Sequence, residues 1–256
     1  RLRKTIEEAF ELGGSYEKVL LIGHSAGGWL GRAALGDGSW NLGNDVNNDD
    51  DVYTARASDR VRALITVGAI HKPPAGDAAS TCVTRGVLAY LEEMYPGAYL
   101  AGEGIAYVSV GGDAIVGSQA SQEKGEKRGS QAVNDTYKVR GEGSASSVAY
   151  TSYKAVSGDG EMTGDGVVPL EWSLLEGSRK VVLDGVLHSI NEAGTTLPTD
   201  KWYGSEKVVD RWLYDALNEA GIFSKKESVL KWPVWNFSEI ARGSNDKEKA
   251  NDLLRR

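Results

Sequence analysis

The chain has 256 residues, 41% hydrophobic and 25% charged, which is ordinary globular usage and excludes a coiled coil, a collagen-like chain and wholesale disorder. A formal net charge of −7 makes the chain a poor candidate for wrapping nucleic acid, whose phosphates demand a basic face, and gives no strong pull toward an anionic membrane. The single cysteine, Cys82, cannot form an internal disulfide, and with three histidines and one cysteine a Cys/His zinc site would need every one of them and is nearly excluded.

In chain order, Leu2, Ile6, Ala9 and Phe10 recur at helical spacing, predicting an amphipathic helix over residues 2–11 that Gly13 and Gly14 end. The apolar run over residues 18–22 predicts a strand buried on both faces. Residues 23–28 form a sharp glycine-rich turn, and a helix continues through residues 29–35. A polar loop spans residues 36–60. A second buried strand is expected at residues 61–67. Residues 72–104 read as an irregular, lid-like excursion with a helix over residues 84–94, ended by Pro96. A third strand is expected at residues 105–110. Residues 111–147, rich in Gly, Ser, Gln and charge, read as a mobile insertion.

A short helix is predicted at residues 148–156 and a fourth strand at residues 180–183. Val208, Val209, Trp212, Leu213 and Leu217 mark a last amphipathic helix that closes at Gly221. Residues 1–222 thus form the expected core, and residues 223–256, with Trp232, Trp235 and Phe237, a C-terminal extension. Strands alternating with helices imply an α/β fold with parallel pairing. No apolar run approaches the roughly 18–20 residues of a membrane helix.

The sharpest chemical signal is Gly23-His24-Ser25-Ala26-Gly27, a G-x-S-x-G pattern with a strand before it and a helix after it. A serine in so tight a turn needs small neighbours two positions away. Glycines at 23 and 27 are expected to let strand and helix approach. The turn lifts the Ser25 hydroxyl above the sheet. The Ala26 N–H, at a helix start, then points where an oxyanion would develop.

A serine nucleophile needs a base and an orienting acid. Three histidines are available. His24 adjoins Ser25 and is expected to face away from its proton, serving in packing or hydrogen bonding near the turn. His71 follows the second strand and is expected at the pocket rim, as is His24. His188 follows the last strand, on the sheet edge where catalytic groups gather, and is the expected base. For the acid, Gly164-Asp165-Gly166-Val167-Val168-Pro169 presents Asp165 between two glycines, 23 residues before His188. Asp113 is the rival, directly after the third strand, where a turn role is the simpler reading. Asp159 and Asp184 are weaker rivals.

These pieces resemble the serine-dependent α/β-hydrolase superfamily, on its lipase and esterase side. The similar blocks are Gly-His-Ser-Ala-Gly-Gly (23–28), Gly-Asp-Gly-Val-Val-Pro (164–169) and Asp-Gly-Val-Leu-His-Ser (184–189). The run over residues 20–29 resembles plant- and algal-type α/β-hydrolases of unassigned substrate. So do Thr84-Arg85-Gly86-Val87-Leu88, Tyr95-Pro96-Gly97-Ala98-Tyr99 and Trp202-Tyr203-Gly204-Ser205.

The resemblance implies a doubly wound, mostly parallel sheet of the α/β-hydrolase type, with Ser25 as nucleophile, Asp165 as acid and His188 as base. It implies the chain order Ser–acid–His, which His71 does not fit. Relatives carry Pro-His where this chain has Ile70 before His71. Relatives also place several strands, and a loop donating the second oxyanion N–H, ahead of the nucleophile strand. This chain has only a helix there, so an N-terminally incomplete chain is expected.

The function so implied is a serine hydrolase cleaving a carboxylic ester of a small molecule or lipid, without a cofactor. A non-catalytic binding module of the same fold and an acyltransferase using the same triad stand as alternatives. The sequence does not fix the oligomeric state. It is compatible with a reducing compartment, cytoplasm or, by resemblance only, plastid. The acidic run at residues 45–51 lacks the central glycine of a calcium loop, and Arg56 stands at the twelfth position where glutamate belongs. No metal is expected.

Overall fold

The computed structural model describes residues 1–15, 17–36, 56–74, 84, 86–119, 142–191 and 194–222. The acidic run at residues 45–51, Cys82, most of the 111–147 insertion and the extension over residues 223–256 lie outside the described residues. Within the compact unit Arg1–Ile222, helix α1 (Leu2–Leu12) precedes strand β1 (Val19–His24) and helix α2 (Ala26–Leu35). The one-turn helix α3 (Ala57–Arg60) leads into β2 (Val61–Val67), followed by α4 (Val87–Met94) and β3 (Ala106–Gly112). The short strand β4 (Ile115–Val116) pairs antiparallel with β5 (Thr163–Gly164), on either side of α5 (Glu142–Ser157). The one-turn helix α6 (Leu170–Ser173), β6 (Arg179–Leu183) and α7 (Glu206–Glu219) complete the order.

The central sheet runs β1-β2-β3-β6, with every neighbouring pair parallel. Its register sets His24 beside Val67, Val67 beside Val110, and Gly112 beside Leu183. All four strands therefore end on one edge, where their connecting loops collect. Leu64 and Ile65 are adjacent in β2, so their side chains take opposite faces of the sheet. Leu64 packs with Ile6, Ala34 and Leu35 of α1 and α2. Ile65 packs with Val208, Trp212 and Ala216 of α7. Helices thus cover both faces, and the chain is α/β with a mostly parallel central sheet.

Local chemistry explains these elements. On α1, Ile6 and Phe10 are buried one turn apart, and Arg60 crosses over the Phe10 ring to reach Glu7 at 3.1 Å. On α7, Val208, Trp212 and Ala216 recur every four residues and form the buried stripe. Burying a side chain the size of Ile6, Phe10 or Val208 contributes about 1.5–3 kcal/mol.

One expectation is corrected. β1 is not buried on both faces: among the described residues it pairs only with β2, and Ile22 is 50% exposed. Among the described residues this apolar run lies at the edge of the sheet. The described part of the 72–104 excursion packs against the core. Leu88, Leu91, Tyr95 and Leu100 are buried, and the Arg32 guanidinium within α2 donates to the Tyr95 carbonyl at 2.8 Å. Among the described residues, no helix is long and apolar enough to cross a membrane.

Candidate active site

Ser25 stands between β1 and α2 with φ +52° and ψ −123°, a conformation costly for a residue with a side chain. Two backbone bonds hold it there. Ser25 N–H donates to the Val67 carbonyl at 3.0 Å, and Gly28 N–H donates to the Ser25 carbonyl at 3.0 Å. Gly23 is indispensable to this turn, because a Cβ there would fall on the Gly27 carbonyl and within 2.6 Å of the Gly28 nitrogen. Gly27 itself faces nothing within 4 Å, so the expected steric need for glycine at 27 is corrected. The close strand-to-helix approach falls instead on Gly28, where a Cβ would meet the side chains of Ala69 and Thr66. Ala26 is exposed and opens α2, so its N–H belongs to the first turn that helices leave without internal acceptors.

His188 and Asp165 are joined twice. His188 Nδ1 lies 2.8 Å from Asp165 Oδ2, and His188 N–H donates to the Asp165 carbonyl at 2.9 Å. Asp165 is 1% exposed, yet its carboxylate is fully partnered. Oδ1 accepts from the N–H groups of Val167 at 2.9 Å and Val168 at 2.7 Å. Oδ2 accepts from Tyr203 OH at 3.0 Å as well as from His188. A carboxylate accepts, so Nδ1 carries the hydrogen of this bond.

Tyr203 hydroxyl also accepts the Gly112 N–H at 2.6 Å. Burial, with the nearby Asp165 charge, raises its pKa well above the usual tyrosine value, so it stays a donor. Tyr153 supports the same loop from the other side, accepting the Gly166 N–H at 2.8 Å and donating to the Ile115 carbonyl at 3.0 Å.

The serine and the Asp165–His188 pair share the C-terminal edge of the sheet. Ser25 bonds to Val67, and the next residue, Gly68, touches the pair. A Cβ on Gly68 would lie 3.0 Å from Asp165 Oδ2 and 3.1 Å from His188 Nδ1. Ser25 Oγ and His188 form no hydrogen bond in this structure. A pocket of about 180 Å³ adjoins the pair, lined by Val148, Val167, Leu187, His188, Ser189 and Thr195.

The remaining sequence candidates fall into place by their partners. His24 Nε2 lies 2.9 Å from the His188 carbonyl, and the two rings are 4.8 Å apart. Burial first, then the His188 charge, lowers its pKa, and because a carbonyl can only accept, Nε2 is the donor in this contact. His71, expected at the rim, is 1% exposed. Its Nε2 meets Thr66 Oγ1 at 2.9 Å, and its carbonyl accepts from buried Arg32 at 3.1 Å. Burial, reinforced by Arg32, pushes its pKa down to about 3. Asp113 accepts the Gly185 N–H at 2.9 Å and ties the β3 exit to the turn after β6. Asp159 accepts the Glu161 N–H in a local turn.

Gly68 and the pairing role of Tyr203 escaped the sequence reading. Tyr203 lies 38 residues from Asp165, and no local spacing connects them. Among the described residues, no three His, Cys, Asp or Glu side chains are grouped to hold a metal. No protein-family model matches the chain, and no curated protein matches it in a sequence search.

Proposed function

We propose that this chain is a serine hydrolase of the α/β-hydrolase type that cleaves a carboxylic ester. The observation that carries the reading is the buried, hydrogen-bonded Asp165–His188 pair on the sheet edge that also holds a serine in strained backbone geometry. Strain of this kind costs about 1–3 kcal/mol and persists where the surroundings enforce it. Here the enforcing contacts are the Gly23–Gly27 approach and the bond to Val67.

The chemistry follows from the named atoms. Ser25 Oγ attacks the ester carbonyl carbon, and its proton passes to His188 Nε2. In free enzymes this hydrogen bond is often open and tightens in the substrate complex. The carbonyl oxygen gains the charge and accepts the Ala26 N–H. Collapse breaks the bond to the alcohol oxygen, which takes the proton back from His188. Water then adds to the acyl-serine, giving its proton to His188. The acid leaves, and Ser25 regains its hydrogen. Asp165 stays ionised throughout and stabilises the imidazolium.

Ser25→Ala tests the reading. The variant keeps the native circular dichroism spectrum and loses ester turnover to background. Turnover surviving in folded Ser25→Ala refutes the assignment.

A further inference from the structure

We propose that Tyr203 is a positioning residue, whose hydroxyl fixes the orientation in which Asp165 holds His188. The role in catalysis rests on the hydrolase reading above, while the geometry behind it does not. A carboxylate offers about four acceptor sites. Asp165 fills two at Oδ1 with the Val167 and Val168 N–H groups, and two at Oδ2 with His188 and Tyr203. The tyrosine hydroxyl has one proton to give. Its oxygen takes the Gly112 N–H at 2.6 Å, which directs that proton to Asp165 Oδ2 at 3.0 Å. The end of β3 is thereby connected to the carboxylate through one buried oxygen.

The ring cannot drift. Tyr203 is 2% exposed, its carbonyl accepts Trp212 Nε1 at 3.0 Å from α7, and its Cε2 sits 2.7 Å from where a Gly68 Cβ would be. Packing alone would be met by phenylalanine. The hydroxyl is the part that reaches the carboxylate. Without it, Oδ2 keeps only His188, and the carboxylate is free to tilt about its Oδ1 anchors.

The experiment is proton NMR of the full chain at low temperature, with ester kinetics beside it. The downfield Nδ1–H signal of His188, assigned by its loss in His188→Gln, shows a cross-peak to a slowly exchanging Tyr203 hydroxyl proton in the wild type. In folded Tyr203→Phe that signal moves, because Oδ2 loses its competing donor. At the same time kcat falls about tenfold with little change in KM, the size expected when a hydrogen bond to a charged group is lost.

A folded Tyr203→Phe with an unmoved Nδ1–H signal and unchanged kcat overturns the proposal. If Tyr203→Phe fails to fold, the wild-type cross-peak decides, and its absence overturns it. A signal that moves in a protein whose wild type cleaves no ester supports the positioning role and removes only the hydrolase reading.

Discussion

Gly68 and His188 are in near contact: a single carbon added to Gly68 would lie 3.1 Å from His188 Nδ1. Gly68 also has φ +54°, where a side chain is strained whatever the space around it. Its N–H donates to the Val110 carbonyl at 2.8 Å, so the residue cannot withdraw from the site. Gly68→Ala is therefore expected to push Tyr203, Asp165 and His188 apart. Ester turnover should fall at least about 100-fold, while stability drops by about 1–3 kcal/mol. Steady-state kinetics with urea denaturation at one temperature separates the two effects. Retained turnover in Gly68→Ala would show that the pair tolerates displacement.

Gly23 and Gly27, on either side of Ser25, should respond oppositely. At Gly23 an added carbon meets the Gly27 backbone, which has no flexible end to give way. Gly23→Ala should cost several kcal/mol, or prevent folding, as strain at an enforced backbone position does. At Gly27 nothing lies within 4 Å and the residue is helical. Gly27→Ala should be neutral or stabilising, by up to about 1 kcal/mol from helix propensity. Thermal melts of both variants check this, and equal destabilisation would contradict the geometry of the turn that holds Ser25.

The helices and strands that carried long periodic signals were legible from the residues. β2 begins and ends where the apolar run predicts, and α1, α2, α4 and α7 occupy the expected segments. The two-residue β4–β5 ladder and the one-turn helices α3 and α6 are too short to produce a period. Helix α5 starts earlier than expected, because Ser144, Ser146 and Ser147 supply no apolar stripe there. β1 looked buried because periodicity reports apolar character, whereas edge position depends on which strands pair with it.

At the site, Ser25, Asp165 and His188 could be singled out from local motifs. The burial of His71 could not. Its chain position suggested the rim, and only packing against Arg32, Thr66 and Trp172 takes it inside. Tyr203 is a similar case, since its partners Gly112 and Asp165 are 91 and 38 residues away.

Buried His71 gives the fold a pH dependence of known sign. Its pKa is about 3 folded, against the ordinary 6.5. Between those values the unfolded chain binds a proton that the native chain refuses, so stability falls as pH drops from about 6.5 toward 3. The contribution reaches roughly 1.4 kcal/mol per pH unit within that window. The lowered pKa of His24 acts in the same direction. His71→Gln, which removes the titrating group, should lose stability at pH 7 through the disturbed Thr66 and Arg32 contacts. Its urea midpoint should then decline less steeply than the wild type's between pH 6.5 and 4.5. Parallel curves would show that His71 accepts its proton without cost.

The central claim is that Ser25 is an activated nucleophile served by His188 and Asp165. Labelling of the folded chain with a fluorophosphonate, followed by mass spectrometry of the modified peptide, tests it most directly. The account predicts one adduct, on Ser25, abolished in Ser25→Ala and slowed by about 10³–10⁴-fold in His188→Gln and Asp165→Asn. A folded chain that takes no label, or takes it at a serine other than Ser25, would contradict it.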